Sequence, residues 1–356
     1  MLQTSDEPDR LPNAPHPRET LALIGHHAQE QAFLTALRSG RVHHGWLLGG
    51  PEGVGKASFA YRAARFMLAA GDPVARAQDA RDLAMPEQDL ATRRVMAQSH
   101  SDLHVLKRGP KPDGKGYTSN IPVSFVRRVL DRFGSSAAEG GWRVCIVDCV
   151  EDMERPSANA FLKLLEEPPP RALFLIVSHA PGRLLPTIRS RCRLLSFSAL
   201  HEDTVAQAGL IALERMGGPY DASALPRAAK LSEGSVRRAL TYVAPETLAL
   251  VEAVRARLDA LPGLDITGLL ALAEDVAGKA GEDDFLIMLE TVQAWLGAHL
   301  RAHAGAGAAR LAPLAEVWDK LSRAAREVET YNLDRRPLVM TMFHDLSDAV
   351  ARSRAA

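Results

Sequence analysis

Seven consecutive residues, Gly50-Pro51-Glu52-Gly53-Val54-Gly55-Lys56, have the types and spacing that hold a phosphate chain. Glycines let the backbone turn tightly around anionic oxygens, the N–H groups at the start of a following helix point at the anion, and a lysine adds a point charge near the terminal phosphates. The eighth position, where a Ser or Thr hydroxyl would ligate magnesium, is Ala57. Ser58 follows, but one residue along a helix is a rotation of about 100°, which turns its hydroxyl away from the metal. Farther on, Val144-Cys145-Ile146-Val147-Asp148 is an apolar run that ends in a carboxylate, a pattern that helps hold the metal of a bound nucleotide. The plainer alternative for Asp148 is a strand-end cap on the next loop.

Such a motif works only between a strand and a helix. Trp46 to Leu48 supplies a short apolar run before it, and Lys56, Phe59, Ala63, Phe66 and Met67 supply helical spacing after it. Upstream, Leu23, Ala32, Phe33 and Leu37 suggest a helix that ends near Gly40. Downstream, a long segment rich in Ala, Arg, Asp and Gln leads to a short strand candidate at Leu103 to Leu106 and a Gly/Lys/Pro loop from Arg108 to Gly116. Val123 to Phe133 and Ala158 to Leu165 read as helices, the second stopped by Pro168-Pro169-Pro170. Arg143 to Asp148 and Leu173 to Ser178 read as strands buried on both faces. Strands alternating with helices predict an α/β parallel sheet covered on both sides. After Ser198 no strand run remains, and helical spacing of Ala, Leu, Glu and Arg continues to the end. Breaks at 217–219 and at Pro245 divide that region. The expected organisation is a flexible Pro-rich tail at 1–20, a P-loop core at 21–198, a small helical piece at 199–244 and a longer helical domain at 245–356.

At 356 residues, 46% hydrophobic and 24% charged, the chain is long enough for two or three packed domains. Lys plus Arg and Asp plus Glu both number 43, so the net charge of zero excludes a global nucleic-acid footprint. Contact with DNA must be local or shared with partners. Cys145, Cys149 and Cys192 make no paired set, which fits a reducing cytoplasm. The first twenty residues contain no apolar targeting core and no later stretch suits a membrane, so no membrane association is expected.

Three further segments give the chain its resemblance: Arg41-Val42-His43-His44-Gly45-Trp46, Asn159-Ala160-Phe161-Leu162-Lys163-Leu164-Leu165-Glu166-Glu167-Pro168-Pro169, and Ser190-Arg191-Cys192. With the P-loop they resemble the AAA+ clamp-loader subunits of bacterial DNA polymerase III, most closely the delta-prime type. The likeness is specific from Leu23 to Val243 and diffuse beyond. It implies a AAA+ core, a helical lid over 199–244 and an all-α collar over 245–356 that supplies oligomer contacts. It also implies gamma/tau and delta subunits as partners in a hetero-oligomeric ring, a sliding clamp, and primed DNA met through the complex in a cytoplasmic replisome. By resemblance Arg191 is an arginine finger acting in trans on the neighbour's nucleotide, Ser178 is the sensor at the end of its strand, and Arg237, in Gly234-Ser235-Val236-Arg237-Arg238-Ala239-Leu240, is the sensor of the lid helix. On residues alone, Arg191 reads equally as a helix-terminal arginine paired with a surface carboxylate and Ser178 as an ordinary strand-end serine, while Arg237 reads first as a solvated arginine.

In hydrolysing members of the class a glutamate follows the aspartate and activates the attacking water; here Cys149 follows Asp148. A buried neutral thiol cannot do that work, and Glu151 and Asp152, beyond the strand end, give no reason to substitute. Gly50, Gly53, Gly55, Lys56, Asp148, Ser178 and Arg237 are therefore expected to bind ATP without hydrolysis, with magnesium weak or absent. The competing reading, an active gamma/tau-type ATPase, would want Ser or Thr at 57 and Glu at 149. Relatives often hold zinc through four cysteines after the P-loop helix, but Met67 to Leu106 contains none, so no zinc is expected. His100 and His104 sit in a loop entering a strand rather than on a helix face. The cysteines read as small buried hydrophobes, Lys107 to Lys115 as a solvated loop beside the single aromatic Tyr117, and Phe285, Met288, Leu289, Val292, Trp295 and Leu296 as an apolar helix stripe of domain core.

Overall fold

Strands that are buried at every position need helices on both faces, and alternating side chains decide which helices those are. The computed structural model describes residues 7, 10–11, 14–111, 116–134, 141–217, 220–277, 282–331 and 334–355. They form two units, residues 1–219 with 234–237, and residues 220–233 with 238–356.

The first unit runs α1 (His27–Arg38), β1 (Gly45–Gly49), α2 (Lys56–Leu68), α3 (Pro73–Asp79), α4 (Leu90–Met96), β2 (Leu103–Leu106), α5 (Val123–Gly134), β3 (Arg143–Val147), α6 (Arg155–Glu166), β4 (Ala172–Ser178), α7 (Pro186–Arg189), β5 (Arg193–Ser196) and α8 (Glu202–Met216). The strands pair in the order β2-β3-β4-β1-β5, all parallel. On one face Trp46, Leu48, Val144, Ile146, Leu173, Leu175 and Val177 pack with Phe33 and Leu37 of α1 and Phe59 and Phe66 of α2. The intervening residues, Leu47, Cys145, Val147, Phe174 and Ile176, meet Val126 and Phe133 of α5 and Phe161 and Leu165 of α6 on the other. The two-residue period of the strands has thus built a three-layer α/β/α core.

After β1 the chain crosses to the far edge of the sheet and returns through β3 to β4, which lies beside β1. The helices that follow β1 and β3 cover opposite faces, so a crevice opens at the carboxyl ends of β1 and β4, where doubly wound sheets hold ligands. The P-loop follows β1, and Ser178 is the last residue of β4.

Several elements differ from the sequence reading. β5 was not expected, because only Leu195 of its four residues is buried and, as an edge strand paired only to β1, it shows no continuous apolar run. The segment between α2 and β2, to which the sequence reading assigns no element, forms α3 and α4. Asp72 and Asp89 cap α3 and α4 by accepting the N–H groups of Val74 (3.1 Å) and Thr92 (2.9 Å), and Ala77 and Val95 are buried. α6 starts at Arg155, where Pro156 suits a first turn.

The expected flexible tail at 1–20 is also corrected over its described part. Ala14, His16 and Arg18 are buried, and Arg18 pairs with Glu7 at 2.8 Å. The cause lies in α2, whose Arg65 is buried and donates to the carbonyls of Arg18 (2.9 Å) and Thr20 (2.7 Å). A buried guanidinium needs acceptors, and the Pro-rich segment supplies them.

In the loop from Arg108, Pro110 bridges Tyr117 antiparallel; its tip, 112–115, lies outside the described residues. Gly217 ends α8 with a φ of +67°, and the rest of the expected break, 218–219, also lies outside them.

The second unit is helical: a 3₁₀ turn at Ala222–Ala224, then α9 (Leu225–Leu231), α10 (Val236–Tyr242), α11 (Pro245–Asp259), α12 (Ile266–Ala277), α13 (Glu282–Ala302), α14 (Ala308–Tyr331) and α15 (Arg335–Ala355). The first two residues of α10 group with the first unit. Phe285, Met288, Leu289, Val292, Trp295 and Leu296 are all buried and form the spine of this unit's core. Among the described residues no strand follows Ser198, and no helix is long and apolar enough to cross a membrane.

Candidate functional site

The P-loop turns where only glycine fits. A Cβ on Gly50 would lie 2.1 Å from the Phe197 carbonyl oxygen, and one on Gly53 would lie 2.1 Å from Ser235 Oγ; both residues have positive φ, +154° and +74°. Gly55, at φ +111°, opens α2. His26 donates from Nε2 to the Val54 carbonyl at 2.5 Å, and burial keeps its imidazole neutral by lowering its pKa.

Lys56 is almost fully buried under this turn. Its ammonium donates to the carbonyl of Gly50 at 2.7 Å and to that of Pro51. Burial lowers its pKa to about 8, opposed by the field of Glu52, Glu151 and Asp148. The loop therefore folds around its own lysine, with carbonyl oxygens in the places that phosphate oxygens would take. The glycine conformations and the buried cation fit a phosphate chain. Ala57, the next residue of α2, brings a methyl group and no oxygen for a metal.

At the ends of the neighbouring strands, the Asp148 N–H donates to the Leu106 carbonyl at 2.8 Å, and the Gly50 N–H to the Ser178 carbonyl at 3.2 Å. Cys149 is a protonated thiol: burial first, then the nearby Glu151 carboxylate, push its pKa far above the usual range. The thiol donates to Glu151 Oε2 at 2.9 Å. Glu151 Oε1 accepts the Ser178 hydroxyl at 2.5 Å, the His179 N–H at 2.9 Å and the Ala180 N–H at 2.8 Å. Burial alone would raise the Glu151 pKa, but these donors outweigh it and hold the carboxyl below its ordinary value. Glu151 is thus a hub that sequence reasoning passed over. The signal was present, since Glu151 stands three residues after Asp148, but a 3₁₀ turn at Val150–Asp152 is what folds it back.

Arg237 comes to the same place. Its N–H donates to the Gly53 carbonyl at 3.3 Å, and its Nε lies 3.7 Å from Glu52 Oε1. Gly50, Gly53, Gly55, Lys56, Asp148, Ser178 and Arg237 are therefore gathered at one end of the sheet.

Arg191 is not with them. It precedes β5, whose Arg193 pairs with Trp46 at the start of β1, and its carbonyl oxygen lies 3.2 Å from where a Gly45 Cβ would sit. The P-loop leaves the far end of β1, beyond Gly49, and at about 3.3 Å per residue the two ends are roughly 13 Å apart. Around Gly45 the three diagnostic segments meet: His44 Nε2 donates to the Leu165 carbonyl at 3.1 Å, and Cys192 Sγ packs against the Gly45 backbone. Arg191 Nη2 lies 3.0 Å from Glu166 Oε1, and Nη1 donates to the Thr187 carbonyl at 3.1 Å and to Ser190 Oγ at 3.4 Å.

The remaining candidates are structural. His100 Nδ1 accepts the Asp102 N–H at 3.2 Å. His104 lies against Phe133 in a tilted pair with ring centroids 5.3 Å apart, and burial lowers its pKa to about 4. Cys145 is fully buried in β3, and burial pushes the Cys192 thiol up to about 12.

A family model described as "DNA polymerase III, delta subunit" matches residues 25–201. The chain is 29% identical to DNA polymerase III subunit delta' of Yersinia pestis, over 83% of this chain and 77% of that one. It is 34% identical to subunit delta' of Pseudomonas aeruginosa, over 46% of each chain. It is 28% identical to subunit tau/gamma of Haemophilus influenzae, over 63% of this chain and 30% of that one.

Proposed function

We propose that the chain is a delta-prime-type member of the clamp-loader family of DNA polymerase III subunits and that it holds nucleotide without hydrolysing it. In this reading it lends Arg191 to a neighbouring ATPase subunit while the ring places a sliding clamp on primed DNA. The observation that carries the reading is the separation of Arg191 from the chain's own P-loop, about 13 Å away at the opposite end of β1. A guanidinium suits phosphate by its forked donors. Out of reach of its own site, Arg191 has a phosphate to serve only on another subunit.

The P-loop backbone from Gly50 to Gly55, Lys56 and Arg237 would hold the nucleotide, with Lys56 exchanging loop carbonyls for phosphate oxygens. Ala57 offers no ligand to magnesium, which leaves Asp148 alone. Cys149, protonated by burial, cannot take a proton from water. Glu151 is tied to four donors and is not free to take over. Residues 199–244 then form the lid and 245–356 the collar that meets gamma/tau and delta subunits in a cytoplasmic replisome.

The test is ATP turnover by the purified chain, alone and assembled with gamma/tau-type and delta subunits. Little turnover alone, and clamp- and DNA-stimulated turnover in the assembly, is expected. Steady hydrolysis by the isolated chain at the rate of a gamma/tau-type subunit would sink the proposal in favour of an active ATPase.

A further inference from the structure

Arg191 is held on its own subunit by three groups, and they are not equivalent. Thr187 and Ser190 come from α7 and its C-terminal end, within four residues of the arginine. Glu166, at 3.0 Å, comes from a different element and is the last residue of α6. Its position is well fixed: the Glu167 N–H donates to the Lys163 carbonyl at 3.0 Å, His44 holds the Leu165 carbonyl, and three prolines forbid another turn. The carboxylate therefore sits on a rigid post and sets the direction of a long, flexible side chain.

The pair is open to solvent, with Arg191 36% and Glu166 46% exposed. An ion pair so exposed contributes little to folding stability, so adhesion does not account for it. Exposure also leaves the guanidinium open to a second anion. An arginine that must meet phosphate across a junction gains from having its rotamer chosen beforehand, because freedom lost on contact otherwise weakens the contact.

We propose that Glu166 is the positioning residue of Arg191, holding its guanidinium at the subunit edge in the orientation that meets the neighbour's phosphates. This rests on the trans role of Arg191 proposed above.

The experiment is steady-state ATP hydrolysis by the reconstituted loader, with clamp and primed DNA, carrying Arg191→Ala, Glu166→Ala, Glu166→Gln or the double alanine variant. Glu166→Ala should lower kcat several-fold, less than Arg191→Ala does, with KM for ATP, assembly and the unfolding midpoint unchanged. Glu166→Gln, which keeps an acceptor oxygen, should recover most of the rate. The double variant should be no slower than Arg191→Ala alone, as residues acting through one another require. If Arg191→Ala slows the loader and Glu166→Ala does not, or if the two losses multiply in the double variant, the positioning role is overturned while the finger stands. If Arg191→Ala itself has no effect, the finger falls and the positioning role with it.

Discussion

Glu151 accepts the hydroxyl of Ser178 at 2.5 Å, which joins the turn after β3 to the end of β4 beside the P-loop. The carboxylate supplies the charge, and the serine and the two following N–H groups supply the donors. Replacing Glu151 by Ala leaves the buried Ser178 hydroxyl without this acceptor, while the two N–H groups can turn to water, and should destabilise the first unit by roughly 1–3 kcal/mol, read from urea unfolding.

The same contact gives a pH dependence with a fixed sign. The folded-state pKa of Glu151 is lowered, so its stabilisation is complete at neutral pH. It is lost as pH falls below about 4.3, the value for an unfolded glutamate. Glu151→Gln should be less stable than the parent chain at pH 7 and approach it as the solution is acidified. Parallel stability curves across that range would reject the assignment.

Lys56 titrates in the opposite sense. With its pKa lowered to about 8, the folded chain loses a proton that the unfolded chain keeps up to about 10.4. Stability should therefore rise between those values, and Lys56→Met should abolish the rise. Phosphate binding needs the ammonium, so ATP affinity should fall as pH climbs through 8. A fluorescence titration at pH 7 and pH 9 measures this, and Lys56→Ala should show no binding at either pH.

The two ends of the sheet were unequally legible. β1, β3, β4 and the helices around them followed from continuous apolar runs and helical spacing, because buried strands and buried helix faces write themselves into hydrophobicity. β5 did not, since three of its four residues are solvent-facing. Lys56 and the glycines were legible because a phosphate turn needs those residue types at that spacing. Glu151 was not, because its place depends on a backbone turn that no side-chain pattern announces. Of the two readings left open for Arg191, the carboxylate partner is present as Glu166, and a cis partner does not exclude a trans one.

The opening residues illustrate a different limit. Their Pro, Asp and Arg content reads as a tail, yet the carbonyls of Arg18 and Thr20 hold the buried Arg65, whose pKa burial lowers to about 10. A chain starting at residue 21 should lose roughly 2–3 kcal/mol, the worth of hydrogen bonds to a charged group. Arg65→Met should make the loss on truncation much smaller. An unchanged urea midpoint for the truncated chain would show that the segment is dispensable.

Residues 57 and 149 offer a gain-of-function test. Ala57→Thr puts a hydroxyl where magnesium is ligated, so ATP affinity should become magnesium-dependent where the parent chain shows little dependence. Hydrolysis needs a second change. Cys149→Glu alone would set two carboxylates side by side, because Cys149 Sγ lies 2.9 Å from Glu151 Oε2, and one would stay protonated through like-charge repulsion. Turnover by Ala57→Thr/Cys149→Glu should therefore remain low at neutral pH. Adding Glu151→Gln removes the competing charge and keeps an acceptor for Ser178, and the triple variant should hydrolyse ATP faster than the double. Equal rates in the two would mean that Glu151 does not govern the charge of its neighbour at 149.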